Sequence, residues 1–441
     1  MNELPRVLTL RDATMLVVSS VIGVGIFLTP GDVAKQFPTA GWFFFAWLLG
    51  GALALAGALA NAELGAMFPR AGGNYVYLRN AYHPIAGFLV GWLSFFAIFA
   101  GTVATLAVGF TISLATLVPL TPAMKMAVAI AVIWIASAVN AYATKAGAAL
   151  NTSTAYLKIG ALIVIVVLGP ILGHARAAAE PLVSQGSASL ASFGEGLSPV
   201  LFSYLGWNAS VFVAGEIERP ERNLPRSLFL GLAICTTIYV CVTATYVYAH
   251  GMQALAGMPV AGIQAGRVLF GDRGGPIIAV IMMASIFGTV NANVLTGPRI
   301  AYAMASDGLF FRGAAQLNAE RTPAFAVIVQ AVVATALVVY FRADSDSLGK
   351  VLNYTTFAIV LATIADTLAL YVLRVREPER ARPYRAAGYP VVPMLYILAN
   401  VAIAISLLVA KPGQALLSIA VMLSGAPIYW LFARRQKTAQ P

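Results

Sequence analysis

Ser19-Ser20-Val21-Ile22-Gly23-Val24-Gly25-Ile26-Phe27-Leu28-Thr29-Pro30 decides how the rest of the chain is read. It sits in a mostly apolar run from Ala13 to Ala34, long enough to cross a bilayer at about 20 residues per span. Gly23 and Gly25 interrupt the middle of that run. Each glycine weakens a helix by about 1 kcal/mol relative to alanine, and a break frees backbone N–H and C=O groups. In hydrocarbon those groups need partners, so a broken helix makes sense there only where it lines a cavity. Its free N–H groups would suit a carboxylate. Close helix packing through small residues is the competing explanation. About 180 residues later the design recurs, in Leu201-Phe202-Ser203-Tyr204-Leu205-Gly206-Trp207-Asn208-Ala209-Ser210 of the sixth apolar segment. Two interrupted segments at matching positions of two halves point to a transport site between inverted repeats.

The composition agrees. Of 441 residues, 60% are hydrophobic and 10% charged, and the mean hydropathy is +0.82. This is a polytopic membrane protein, not a soluble domain. Twelve apolar segments are expected, beginning near Ala13, Gly41, Pro84, Ala123, Thr152, Gly196, Ser227, Pro276, Pro323, Leu348, Val391 and Gln414. No loop is long enough for a soluble domain. The first segment has no clear cleavage site and reads as a retained span rather than a signal peptide.

The net charge of +11 follows membrane topology. With the N-terminus inside, nineteen Lys and Arg fall on inner segments and eight on outer loops, the latter including Lys35, Arg176, Arg267 and Arg342. Lys158 lies within a span. That asymmetry places both termini in the cytoplasm and gives no reason to expect a nucleic-acid partner. Cys235 and Cys241 both fall in the seventh segment, six positions apart, and read as small packing residues. His83, His174 and His250 are scattered at span ends and form no metal constellation. No Ser/His/Asp, paired-carboxylate or His-cluster arrangement falls inside the spans, so the sequence offers no enzyme site.

Several further features follow in chain order. Gly50, Gly51 and Gly57 form a small-residue stripe on the second segment. Phe68 to Leu78, with Pro69 and Gly72-Gly73, reads as a segment lying at or re-entering the interface. Gly101-Thr102 marks the middle of the third segment. Lys158, in the fifth, is the most informative single residue, because a lysine inside a span costs about 2.5–3.5 kcal/mol on insertion scales. It either faces a polar interior with a task or snorkels to the inner interface. Glu216 to Arg226, rich in alternating charge and proline, reads as a gate-side loop or a solvated loop with ordinary ion pairs. Ser285, Gly288, Thr289, Asn291 and Asn293 suggest an interior face on the eighth segment. Asp366, in the tenth, reads as a helix–helix hydrogen-bond partner in preference to a pathway group. The last two segments read as scaffold.

Taken in order, these residues resemble the amino acid–polyamine–organocation superfamily, and within it the bacterial relatives of the L-type amino acid transporters. The resemblance covers nearly the whole chain. It rests on Ile22 to Phe27, Ala62-Glu63-Leu64-Gly65, Pro69 to Gly73, Gly206-Trp207-Asn208, Glu221 to Arg226, Pro298-Arg299, Asp307 to Phe310, and Arg382 to Arg385 with Gly388-Tyr389-Pro390. It implies an all-α membrane fold of the LeuT type: a five-helix repeat over residues 10–175, an inverted copy over 195–377, and two extra helices over 388–436. It implies an amino acid held at the two breaks. Its carboxylate would meet the N–H groups of Val24, Gly25 and Ile26, and its ammonium the carbonyls near Val21, Phe202 and Leu205. Phe202 resembles the aromatic that closes over the substrate. Lys158 resembles the lysine that takes the place of a structural sodium ion, with backbone near Gly23 and polar atoms near Thr289 as partners. Tyr239 resembles the seventh-helix tyrosine associated with intracellular-side binding. Val24, where many relatives carry Ser or Ala, and Ile359 and Val360 are departures that bear on pocket size and polarity.

These readings lead to an expectation of a secondary transporter of small or medium neutral L-amino acids, working by alternating access as a sodium-independent exchanger in a bacterial inner membrane. No cofactor or metal is expected. The loop between the third and fourth segments lacks a cysteine, so no disulfide-linked heavy subunit is expected. A cationic amino acid or polyamine carrier coupled to protons is the alternative, and a non-transporting amino-acid sensor is the alternative of another class. Glu63, Glu216 and Asp366 all lie away from the two breaks, which argues against a cationic substrate.

Overall fold

The computed structural model describes residues 4–172, 190–341 and 347–439. His174, Arg176 and Arg342 lie outside them. Among the described residues the chain is helical, with one isolated backbone bridge, Leu8 to Ile217.

The first span is broken into α1 (Leu10–Val21) and α2 (Gly25–Leu28), and α3 (Pro30–Gln36) follows directly. Thr9 caps α1. Its hydroxyl accepts the Asp12 amide at 3.3 Å, and the Asp12 carboxylate accepts the Thr9 amide at 3.1 Å, a reciprocal capping box. α4 (Ala40–Met67) is capped by Thr39. The expected interfacial segment becomes a short buried helix, α5 (Asn74–Ala81). The third span comprises α6 (Pro84–Leu93), a π-helical stretch Ser94–Phe99, and α7 (Ala100–Ala115). α8 (Pro122–Tyr142) and α9 (Thr144–Leu172) complete the first half.

The second half opens with the other broken span, α10 (Leu190–Tyr204) and α11 (Ala209–Phe212). Then come α12 (Pro220–Leu255), α13 (Ala261–Phe270), α14 (Gly274–Thr296) and α15 (Pro298–Ser306). α16 (Ala324–Tyr340), α17 (Ser347–Arg376), α18 (Val391–Ala410) and α19 (Pro412–Ala439) close the chain. Among the described residues, ten helices are long and apolar enough to cross a membrane. The expected sixth and ninth spans are shorter, at 15 and 17 residues. The sixth is short because it is broken.

Two of the boundaries that differ from the sequence reading bear on the site. α12 starts at Pro220, not Ser227, so Glu221 to Arg226 is helix rather than loop. Pro220 occupies the first helical turn, where its missing N–H costs no bond. α9 starts at Thr144, eight residues before the expected Thr152. Lys158 therefore stands 14 residues into the helix, about 21 Å along its axis at 1.5 Å per residue.

The core of the bundle is α1 packed against α9, α12 and α14, with α4 on α12, and α7 on α14. α17 packs on α4, α5 and α7. α18 and α19 join from outside and keep broad apolar faces exposed, among them Leu395, Leu398, Ile405, Leu416 and Leu423. In water such faces would be a liability; in a bilayer they meet acyl chains. The chain is a multi-pass membrane protein.

Candidate functional site

The two breaks meet at the centre of the bundle. At the first, helical geometry ends at Val21 and resumes at Gly25. The amides of Val24, Gly25 and Ile26 open α2 with no helical turn behind them to accept their hydrogen bonds. At the second, Gly206 turns the chain with φ +94°, a region open to glycine and strained for other residues. The two backbones touch. A Cβ on Gly25 would lie 2.7 Å from Ser203 Oγ and 2.8 Å from Ser203 Cα. One on Gly206 would lie 2.8 Å from the Ser20 carbonyl oxygen.

A cavity opens beside this contact, with about 880 Å³ of empty space counted out to its mouth. Seven of the ten residues expected at the site line it: Val21, Gly23, Val24, Gly25, Phe202, Leu205 and Thr289. Ile26, Lys158 and Tyr239 do not. Its other walls include Thr102 and Thr105 of α7, Asn208 and Phe212 beside the second break, and Thr355, Ile359 and Thr363 of α17. Among the described residues, no Asp, Glu, Lys, Arg or His lines it. Val360 faces a second, smaller cavity beyond Phe202 and Leu205.

Asn74 was not anticipated. It brings α5 into the cavity wall, and its Nδ2 donates to Ser94 at 3.3 Å. A polar residue directly after Gly72-Gly73 in an apolar chain was the available signal; periodicity could not place so short a helix.

Lys158 and Tyr239 stand behind the breaks. Lys158 is 1% exposed. Its ammonium donates to the carbonyls of Ser19 at 3.0 Å and Ile22 at 2.8 Å, and to Thr289 Oγ1 at 3.1 Å. Ser285 Oγ reaches the same Ile22 carbonyl at 3.1 Å. The unwound end of α1 thus has its carbonyls held by a lysine from α9 and two hydroxyls from α14. Snorkelling is excluded, because the side chain runs inward from a mid-helix position. The Tyr239 hydroxyl lies 2.8 Å from the carbonyl of Val21 and 2.8 Å from that of Ser203. One phenol therefore joins the two breaks. Its ring packs edge-on to Trp47 and Tyr204. Tyr239→Phe would remove the one hydroxyl proton that these two carbonyls share, at about 1–3 kcal/mol. A lowered melting temperature in detergent is expected; an unchanged one would show that the bridge adds no stability.

The end of the bundle that carries the N-terminus is tied by ion pairs. Arg299 meets Glu216 through Nε at 2.7 Å and Nη2 at 3.1 Å, both side chains buried. Arg374 meets Glu63 at 2.6 and 3.0 Å, and the Ala386 amide donates to the same carboxylate at 2.6 Å. Arg79 pairs with Asp307, which also accepts from Tyr75 at 2.8 Å. Leu8 and Val7 donate to the Glu216 carbonyl at 2.8 and 2.9 Å, fixing the N-terminal segment to the exit of the second break. So Glu216 belongs to a buried pair, not to a solvated loop. On α14, Asn291 donates to the Gly147 carbonyl at 2.9 Å and Asn293 lines the cavity, which gives the expected interior face. Cys235 and Cys241 are free thiols on α12.

Residues 8–433 match the family model described as amino acid permease. The chain belongs to that family, within the amino acid–polyamine–organocation superfamily. It is 30% identical to the serine/threonine exchanger SteT of Bacillus subtilis, over 99% of this chain and 98% of that one. It is 28% identical to the human b(0,+)-type amino acid transporter 1, over 100% of this chain and 91% of that one. Against the human large neutral amino acids transporter small subunit 2 it is 26% identical, over 96% and 79% of the two chains. This permease is a transporter and not an enzyme, and amino acids are the class it moves.

Proposed function

We propose that this permease exchanges small or medium neutral L-amino acids across a bacterial inner membrane by alternating access, without sodium. The observation that carries the reading is a cavity at two helix breaks with no charged side chain among its described lining residues. A zwitterion can be held there by backbone alone. Its carboxylate would sit at the amides of Val24, Gly25 and Ile26, where a helix start favours an anion. Its ammonium would sit at carbonyls near Val21, Phe202 and Leu205, with Phe202 closing over it. A second positive charge, as in a cationic amino acid or polyamine, would find no counter-charge on the walls, and burying it unpaired is costly.

Lys158 supports independence from sodium. Its ammonium already neutralises the carbonyls of Ser19 and Ile22 together with Thr289 and Ser285, the oxygen-rich environment that a sodium ion would otherwise require. The five-plus-five inverted repeat with two added helices is part of the same proposal, as is the cytoplasmic placement of both termini. With both cysteines on α12, the carrier is proposed to act without a disulfide-linked subunit.

The test is uptake of labelled amino acids into proteoliposomes, with and without unlabelled amino acid inside. Uptake that requires internal substrate is expected, with neutral amino acids competing and cationic ones not. Replacing external sodium by choline should leave the rate unchanged; a strict sodium requirement would overturn the role given to Lys158. Binding without flux would make the protein a sensor instead.

A further inference from the structure

One buried ionisable group takes no part in the site described above. Asp366 is 1% exposed, and neither carboxyl oxygen has a hydrogen-bond partner among the described residues. The expectation of a helix–helix hydrogen bond is therefore not met. Its position is specific. Ile359, Ala362 and Thr363 of α17 line the cavity, and Asp366 follows them at helical spacing on the same face. On the facing helix α5, Asn74 lines the cavity and Tyr77 follows one turn later. The Tyr77 hydroxyl is also buried and without a partner, as is Oδ1 of Asn61 on α4. Tyr77 and Asp366 lie within electrostatic reach of one another. Two walls of the cavity thus each continue, one turn on, into polar groups with unused hydrogen-bonding capacity.

We infer that Asp366 is a proton-binding site beneath the substrate cavity, and that its occupancy gates passage through the closed state. As an anion Asp366 would hold uncompensated charge in a dry interior, which is unfavourable without a paired cation. No cation faces it. On α4 the titratable residue is Glu63, which is committed to Arg374 and Arg382. On α5, Tyr75 and Arg79 are engaged with Asp307, leaving Tyr77, and just beyond its end the Tyr82 hydroxyl donates to the Ala365 carbonyl at 3.4 Å. α18 contributes Tyr396. α6, the π-helical stretch and α7 carry no titratable side chain, and α19 carries Tyr429 and basic residues only near its C-terminal end. On α17 itself, Arg374 is two turns away and Arg376 donates to the Ala81 carbonyl. The proton comes from cavity water when that water reaches Asp366, and returns to water when the cavity next opens. The closed arrangement requires the carboxylic acid, so acidification speeds exchange and alkalinisation slows it.

The inference rests on the carrier reading for its consequence but not for its detection. Infrared difference spectroscopy on the purified full-length protein, titrated across the physiological pH range, reads the carbonyl band of a protonated carboxyl directly. We expect a band that bleaches as pH rises in wild type and is absent from Asp366→Asn. In proteoliposomes, Asp366→Asn should retain exchange and lose the pH dependence that wild type shows. If Asp366→Asn removes no titrating band, or if the variant keeps the wild-type pH profile, the proton site is overturned even with flux intact. If wild type shows the band but no amino acid flux, the proton site stands and the carrier reading falls.

Discussion

Replacing Lys158 with alanine is expected to reduce exchange by about ten- to a hundredfold while the protein still inserts and purifies as a single species. A hydrogen bond to a charged group contributes about 1.5–3 kcal/mol, and each 1.4 kcal/mol is a factor of ten. Lys158 makes two such bonds to carbonyls at the unwound end of α1 and a third to Thr289 of α14. In the alanine variant Thr289 still lies 2.8 Å from the Ser19 carbonyl and 3.1 Å from that of Ile22. One hydroxyl can donate to only one of them. The break then loses the cation that holds its shape. Lys158→Arg is expected to fail as well, because its planar fork differs in size and geometry from a compact ammonium. Near-normal flux in Lys158→Ala would show that the ammonium is structural decoration on a break set by other contacts.

Gly25→Leu is expected to abolish substrate binding outright. The first carbon of any side chain at this position would fall 2.8 Å from a backbone atom, Ser203 Cα. A rotamer change in Ser203 cannot relieve that contact. The two breaks must separate, and with them the amides and carbonyls that would hold the zwitterion. Overpacking of this kind costs about 1–3 kcal/mol in stability, which a membrane bundle of this size tolerates, so inserted protein is expected. Substrate-induced thermal stabilisation is the measurement. Gly25→Ala should show a weaker form of the same defect. A variant that keeps its substrate-induced shift with leucine at this position would place the binding site elsewhere.

Much of the architecture was legible in the chain itself. Membrane residence, the run of long apolar helices and the two breaks follow from hydropathy and from glycine, because lipid permits few ways to satisfy a backbone. Lys158 could be singled out because the same solvent makes a buried ammonium expensive. What sequence alone left open was whether it snorkels, since that turned on where α9 begins. Helix starts inside continuous apolar sequence have weak local signals, and here Thr144 replaces Thr152 as the first residue.

The rest was decided by tertiary contact. Asp366 and Tyr77 are 289 residues apart, and only the packing of α17 on α5 brings them to one layer beneath the cavity. The family resemblance singles out Tyr239 in the sequence, but only the packing brings its hydroxyl onto carbonyls from both broken spans. Glu216, which in sequence falls in a gate-side or solvated loop, proves to be the buried partner of Arg299, and Glu63 that of Arg374. Local sequence specifies which groups need a partner. The rotation and crossing of each helix determine which partner they meet, and those depend on side chains packed across the whole bundle.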